Sequence, residues 1–170
     1  MKKVIGGAIL LMVLSMAPSV TAQANSLSYI QPSEIDGIPT DIKEYAEIVG
    51  NMFNICPELL MALAERESRF QPTVTNGSCK GLMQVSVSCH KQRFIDAGWS
   101  VNDWDDPYKN MYVAGSYLAE LFEKYEDAST VLAVYHGEKN AVIKTQNGQL
   151  SGYVLDILKR SEELERVHGK

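Results

Sequence analysis

The chain has 170 residues, 45% of them apolar, and a formal charge of −5, which suits one domain around a single core. An acidic balance without a lysine or arginine cluster excludes a nucleic-acid binder, whose affinity rests on neutralised phosphates. No C-x-x-C spacing is present and Cys89 and His90 are adjacent, so neither a metal nor a cofactor is expected.

Residues 1–24 have the layout of a secretory signal. Lys2 and Lys3 precede an apolar run that ends in Ala22-Gln23-Ala24, the small-x-small pattern that a signal peptidase reads. The run is shorter than the roughly twenty apolar residues that span a bilayer, so cleavage after Ala24 is predicted rather than anchoring. Removing it takes away two lysines and no acid, moving the charge from −5 to −7 over 146 residues. The mature product is expected outside the cytoplasmic membrane, secreted and with no membrane span, and monomeric.

Residues 25–39 are polar, carry Pro32, Gly37 and Pro39, and read as an extended lead. The domain is placed at 40–170. Thr40 is read as the cap of a first amphipathic helix with Ile42, Ala46, Ile48 and Val49 in the core. Pro57 opens a second helix, where its missing N–H needs no partner. The stretch "TVTNGSCKGLMQVSVS" (73–88) lacks a helical period and is expected to be an ordered loop or short ribbon.

A short helix around Cys89 to Ala97 follows, stopped by Gly98. From Pro107 runs the clearest helix, with Met111, Ala114, Gly115, Leu118, Leu121, Phe122 and Tyr125 on one face; Gly115 there would let another backbone come close. Ser129 or Asp127 caps a helix over "TVLAVYH", which Gly137 ends, and a last helix carries Val154, Ile157, Leu158 and Leu164. The stretch between, "EKNAVIKTQNGQLSG", reads as loop. The fold class is all-α, with about six helices.

Three cysteines, Cys56, Cys79 and Cys89, would be exported to where disulfides persist. Cys79 and Cys89 can close a short loop worth roughly 2–3 kcal/mol on the chain-entropy model. The alternative is three buried thiols.

One carboxylate stands in an unexpected place. In "LLMALAERESRFQP" (59–72), Glu67 lies three, four and seven residues from Ala64, Leu63 and Leu60 and so shares their apolar stripe, while Glu65 points nearly the opposite way. The helix C-terminus and partial burial both disfavour its charge, so a raised pKa is expected. Such a glutamate is either a general acid or a structural partner of Arg66 or Arg69.

Four motifs in order, "ERESRFQP", "NGSCKGLMQ", "DPYKNMYVAGSYL" and "LAVYHG", together resemble the soluble-type lytic transglycosylase (SLT) domain, related to goose-type lysozyme. The resemblance covers roughly residues 42–160. It implies a lysozyme-like single domain with a sugar-binding cleft, peptidoglycan glycan strands as substrate, and secretion or conjugation machinery as a further class of partner.

Carried over position by position, the resemblance makes Glu67, followed by Ser68, the single catalytic acid. Gly81 to Gln84, with Met83 and Gln84 foremost, line the sugar groove. Tyr135 stands close to the acid across the cleft, Tyr153 opens the last helix and contributes to the cleft, and Asp106-Pro107, Asn110, Gly115, Tyr117 and Leu118 form a structural motif. Two positions depart from the family. His136 replaces the usual asparagine, and Asn76 takes the place of a serine that orients the substrate acetamide, although it still donates and accepts hydrogen bonds.

Most glycosidases use two carboxylates, but one suffices when the substrate supplies the nucleophile. Asp103, Asp105 and Asp106 read as turn and N-cap residues rather than as the second acid. The implied reaction cleaves the MurNAc–GlcNAc β-1,4 bond with formation of a 1,6-anhydro ring, Glu67 acting as acid and then base. The alternatives are a muramidase on the same fold or a non-catalytic wall-binding accessory domain.

Overall fold

The computed structural model describes residues 36–170; the expected signal peptide and most of the 25–39 lead lie outside the described residues. The helices are α1 (Thr40–Phe53), α2 (Pro57–Ser68), α3 (Lys91–Asp96), α4 (Pro107–Tyr125), α5 (Ala128–Tyr135), α6 (Ala141–Gln146) and α7 (Gly152–Val167). A 3₁₀ turn at Val101–Asp105 and three two-residue strands, β1 (Thr75–Asn76), β2 (Cys79–Lys80) and β3 (Val85–Ser86), complete them. The fold is all-α, as expected, with the ribbon as its one sheet among the described residues.

Helix α2 is the axis of the domain. Every residue from Glu58 to Ala64 is buried, which a helix achieves only when neighbours enclose it on several sides. Helices α1 and α7 do so. Helix α7 runs antiparallel to α2, because Tyr153 near its start reaches Glu67 while His168 just past its end reaches Glu58. Helix α4 packs against α1 and α5, and a Cβ on Gly115 would stand 2.5 Å from Val49 Cγ1 and 3.1 Å from Phe53. The expected close approach is therefore real, although it is to side chains of α1.

Three expectations need correcting. Ile48 is 49% exposed; six residues from Ile42 it lies about 120° off the stripe that Ile42, Ala46 and Val49 share. Thr40 is the first helical residue rather than a cap, since Pro39 holds the N-cap position with no side-chain bond. Residues 141–146 are helical rather than loop. A helix this short shows no readable period, and it is held by packing on α5 and by the Thr130–Thr145 hydroxyl bond at 2.6 Å.

The Cys79–Cys89 bridge is not formed, and all three cysteines are free thiols. Backbone closes that loop instead. Cys79 pairs with Asn76 on one side and Ser86 on the other, and Val87 N–H donates to the Ser78 carbonyl at 3.2 Å. The alternative of three buried thiols fails as well, because Cys56 and Cys89 are exposed.

Next to the start of α2 a charged network joins both ends of the described chain. His168 bonds Glu58 through Nδ1 (2.9 Å) and Asp36 through Nε2 (3.0 Å), while Lys170 reaches Glu58 (2.7 Å) and Lys43 reaches Asp36 (2.6 Å). Burial alone would raise the Glu58 pKa, but donors from Lys170, His168 and Cys56 outweigh it and bring it down to about 2. For His168, burial favours the neutral ring, yet the two carboxylates win and its pKa is raised.

The sign of the linkage follows. Stability from a histidine with a raised folded pKa is fully present below its unfolded value, about 6.5, and is lost as pH rises through the folded value. The melting temperature should therefore fall as pH rises above about 6.5, and His168→Gln should flatten that slope. A scan of melting temperature against pH for both proteins checks it, and an equal slope in the variant would refute it.

Candidate active site

Helix α2 ends abruptly just past Glu67. Arg69 (φ 52°) and Phe70 (φ 62°) both adopt the left-handed region, a conformation that costs non-glycine residues energy and clusters at functional sites. The Ser68 hydroxyl turns inward to the Ala64 carbonyl at 3.2 Å and is buried, so it braces the last turn rather than facing a cleft. Glu67 is left at the helix end, half-buried.

The Tyr153 hydroxyl donates to Glu67 Oε1. Its ring stacks on His136, with centroids 3.8 Å apart and planes 16° from parallel. The Arg66 guanidinium lies 5.6 Å from the same ring centroid, a cation–π distance. Desolvation raises the Glu67 pKa and prevails over the opposing effects of the Tyr153 bond, His136 and Arg66. The same burial, together with the carboxylate, pushes the Tyr153 and Tyr135 phenols up, so both remain hydrogen-bond donors.

These opposing influences can be separated. Tyr153→Phe removes a donor that favours the carboxylate and keeps the burial, so the pKa of Glu67 should rise further. Carbon-detected NMR titration of the Glu67 carboxyl reads this, and an unchanged or lowered value would contradict it.

Tyr135, at the end of α5, is tied to the GLMQ wall. Its hydroxyl donates to the Met83 carbonyl at 2.7 Å, and its ring lies 5.8 Å from that of Tyr117. The Met83 side chain itself is fully buried, so this residue contributes its backbone to the site. Gln84 sits at φ 47° with its amide nitrogen donating to the Val74 and Gly81 carbonyls, each at 3.0 Å. That arrangement fixes the side chain and leaves its amide oxygen as the atom to offer a ligand. Asn76 is exposed in β1, and no hydrogen bond ties it to Glu67, Gln84 or Tyr135 among the described residues.

The GLMQ wall is built on Asn110, which periodicity alone did not single out for its contacts. Fully buried in α4, Asn110 accepts from Met83 N–H (2.8 Å) and donates to the carbonyls of Lys80 (3.0 Å) and Trp104 (2.8 Å). Gly81 (φ 83°) passes so close that a Cβ would stand 2.3 Å from the Asn110 amide nitrogen, so only glycine fits. Glu65, which points away from Glu67 on the helix, is half-buried and paired with Arg160 at 2.7 Å. Nothing in the helical period announces that partner, 95 residues away.

Of the aspartates considered as a second acid, Asp106 caps α4 and Asp103 completes a capping box with Ser100 and pairs with Lys109 at 2.8 Å. Among the described residues no second carboxylate bonds Glu67 or its tyrosine partner, and no group of three His, Cys, Asp or Glu could hold a metal ion. No described helix is long and apolar enough to cross a membrane.

Comparison with known proteins agrees with this geometry. A "Transglycosylase" of Enterobacteria phage PRD1 is 30% identical over 89 residues, which is 52% of this chain and 31% of that protein. The match thus spans under a third of that curated relative. The family model described as the Transglycosylase SLT domain matches residues 44–151, a span that contains Glu67, Asn110, Gln84 and Tyr135 and stops just short of Tyr153: the chain belongs to the SLT transglycosylase domain family.

Proposed function

We propose that this domain is a peptidoglycan lytic transglycosylase acting outside the cytoplasmic membrane, with Glu67 as its acid and then its base. The observation that carries the reading is a lone half-buried carboxyl, raised in pKa by desolvation, at a helix end between two tyrosines. A carboxyl that holds its proton towards neutral pH suits general acid work.

In the first step Glu67 gives its proton to the glycosidic oxygen between N-acetylmuramic acid and N-acetylglucosamine. The 2-acetamido oxygen of the muramoyl residue attacks the anomeric carbon as that bond breaks, forming an oxazolinium. Glu67 is now ionised, a state that the Tyr153 hydroxyl stabilises by donation. In the second step it takes the proton of the C6 hydroxyl, O6 attacks the anomeric carbon, and the acetamide is expelled. The carboxyl is restored to its acid form and the glycan carries a 1,6-anhydro end.

Water is not consumed, so the product distinguishes this from hydrolysis. Gln84, Asn76, Tyr135, Tyr153 and His136 are assigned to orienting the acetamide and the sugars, which counts heavily where the near-attack geometry limits the rate. The test is mass spectrometry of muropeptides released from purified peptidoglycan by residues 25–170. Ends lighter by one water than their reducing counterparts establish the lytic reaction. Reducing ends would make the enzyme a muramidase, and the absence of any release would leave a wall-binding domain.

A further inference from the structure

Successive residues at the end of α5 have different partners. Tyr135 bonds the Met83 carbonyl, while His136, about 100° further round the helix, lays its ring on Tyr153 of α7 at a centroid distance of 3.8 Å. The two helices are tied together at that place. The Ser151 hydroxyl, which caps α7, donates to the Glu138 carboxylate two residues past His136, so the turn after α5 is fixed to the start of the helix that carries Tyr153. His136 is also one of the two positions at which the chain departs from the family pattern.

The imidazole itself is uncommitted. It is exposed and makes no hydrogen bond or ion pair among the described residues, so its nitrogens exchange protons with solvent. The ring beneath it is buried, and that ring's hydroxyl donates to Glu67. The charged and titratable groups around His136 come from several elements. Helix α7 brings Tyr153, α2 brings Glu67 and Arg66, and its own turn brings Glu138, already engaged by Ser151. Of the other helices packed on α5, α4 turns Tyr117 to Tyr135, and α6 meets it through the neutral Thr130–Thr145 pair. His136 and Arg66 both act on Glu67 in the direction of the carboxylate.

We propose that His136 is a positioning residue for the acid: its ring holds the Tyr153 phenol on Glu67, and its proton supplies a second positive charge while Glu67 is ionised between the two steps. This rests on the transglycosylase reading and gives His136 a role exerted through Tyr153 rather than on the sugars. A flat ring at van der Waals distance restricts the swing of Tyr153 and keeps its hydroxyl within the narrow geometry of a charge-assisted bond. When protonated, the imidazole stabilises the carboxylate that the first step produces, which makes Glu67 the stronger acid. When neutral, it contributes the stack alone. An asparagine has neither a ring nor a charge to offer, so both effects belong to the histidine. Activity relative to a site with an uncharged ring should therefore rise as pH falls.

The test combines NMR titration of the Glu67 carboxyl with kcat and KM on soluble glycan strands across pH, for wild type, His136→Phe and His136→Asn. Phenylalanine keeps a flat ring and removes the charge, and asparagine removes both. In each variant the Glu67 pKa should rise by about half a unit, the scale of one solvent-screened charge. The ratio of wild-type kcat to that of His136→Phe should grow about threefold between pH 8 and pH 5.5. His136→Asn should lose about tenfold in kcat with little change in KM, and His136→Phe should recover part of that loss at pH 8. An unchanged Glu67 pKa in both variants, a kcat ratio constant with pH, or a loss carried by KM would overturn the proposal while leaving the transglycosylase reading intact. If wild type cleaves no strands, that reading fails separately, and the titration still decides whether His136 acts on Glu67.

Discussion

Glu67→Gln should reduce release of anhydro-ended muropeptides by about a thousandfold or more, the upper part of what a positioned acid–base group contributes. The reduction should appear in kcat with little change in KM, because the amide can still occupy the cleft but can neither deliver nor recover a proton. Folding should be unharmed or slightly improved. Desolvation raises the Glu67 pKa, which means that folding disfavours its ionised form, and a neutral amide of the same shape removes that penalty. Muropeptide mass spectrometry and thermal melts of the same preparation check both halves. A glutamine variant that retained a tenth of the activity would place the chemistry elsewhere.

Asn110→Ala should cause the largest loss of stability of any single cleft substitution. It leaves Met83 N–H and the carbonyls of Lys80 and Trp104 without their partner in a buried setting, and each unmet group costs about 1–3 kcal/mol. A total of about 3 kcal/mol or more follows, enough to lower the melting temperature of a domain of this size by roughly 10 °C or more. Asn110→Asp should not rescue it, because a carboxylate keeps the acceptor for Met83 and turns oxygen towards two carbonyls. Calorimetry reads the stability. Activity well below the melting point should fall as well, since the Met83 carbonyl that fixes Tyr135 belongs to the same loop.

What the sequence disclosed was set by local chemistry. Pro57 and Pro107 marked the starts of α2 and α4, Asp127 capped α5, and the apolar stripe of α2 put Glu67 on the buried side. Each of those signals is decided within a few residues of chain. The contacts that finish the site join distant positions: Tyr153 with Glu67, Tyr135 with the Met83 carbonyl, Asn110 with three backbone groups, and Glu65 with Arg160. Periodicity has no term for them. Tyr135 and Tyr153 were found through the family motifs, and the Ser68 hydroxyl, which the same motifs place next to the acid, bonds its own helix.

The charged network around His168 also fixes the orientation of the domain relative to anything attached to it. Asp36 and His168 bond each other at 3.0 Å at one end of α2, and Glu58, which His168 also bonds, precedes Glu67 by nine residues, or about 13 Å along the helix axis. A leash, a fusion partner or a surface linker joined at either of those positions therefore leaves from the end of α2 remote from the acid, and the cleft stays clear of it.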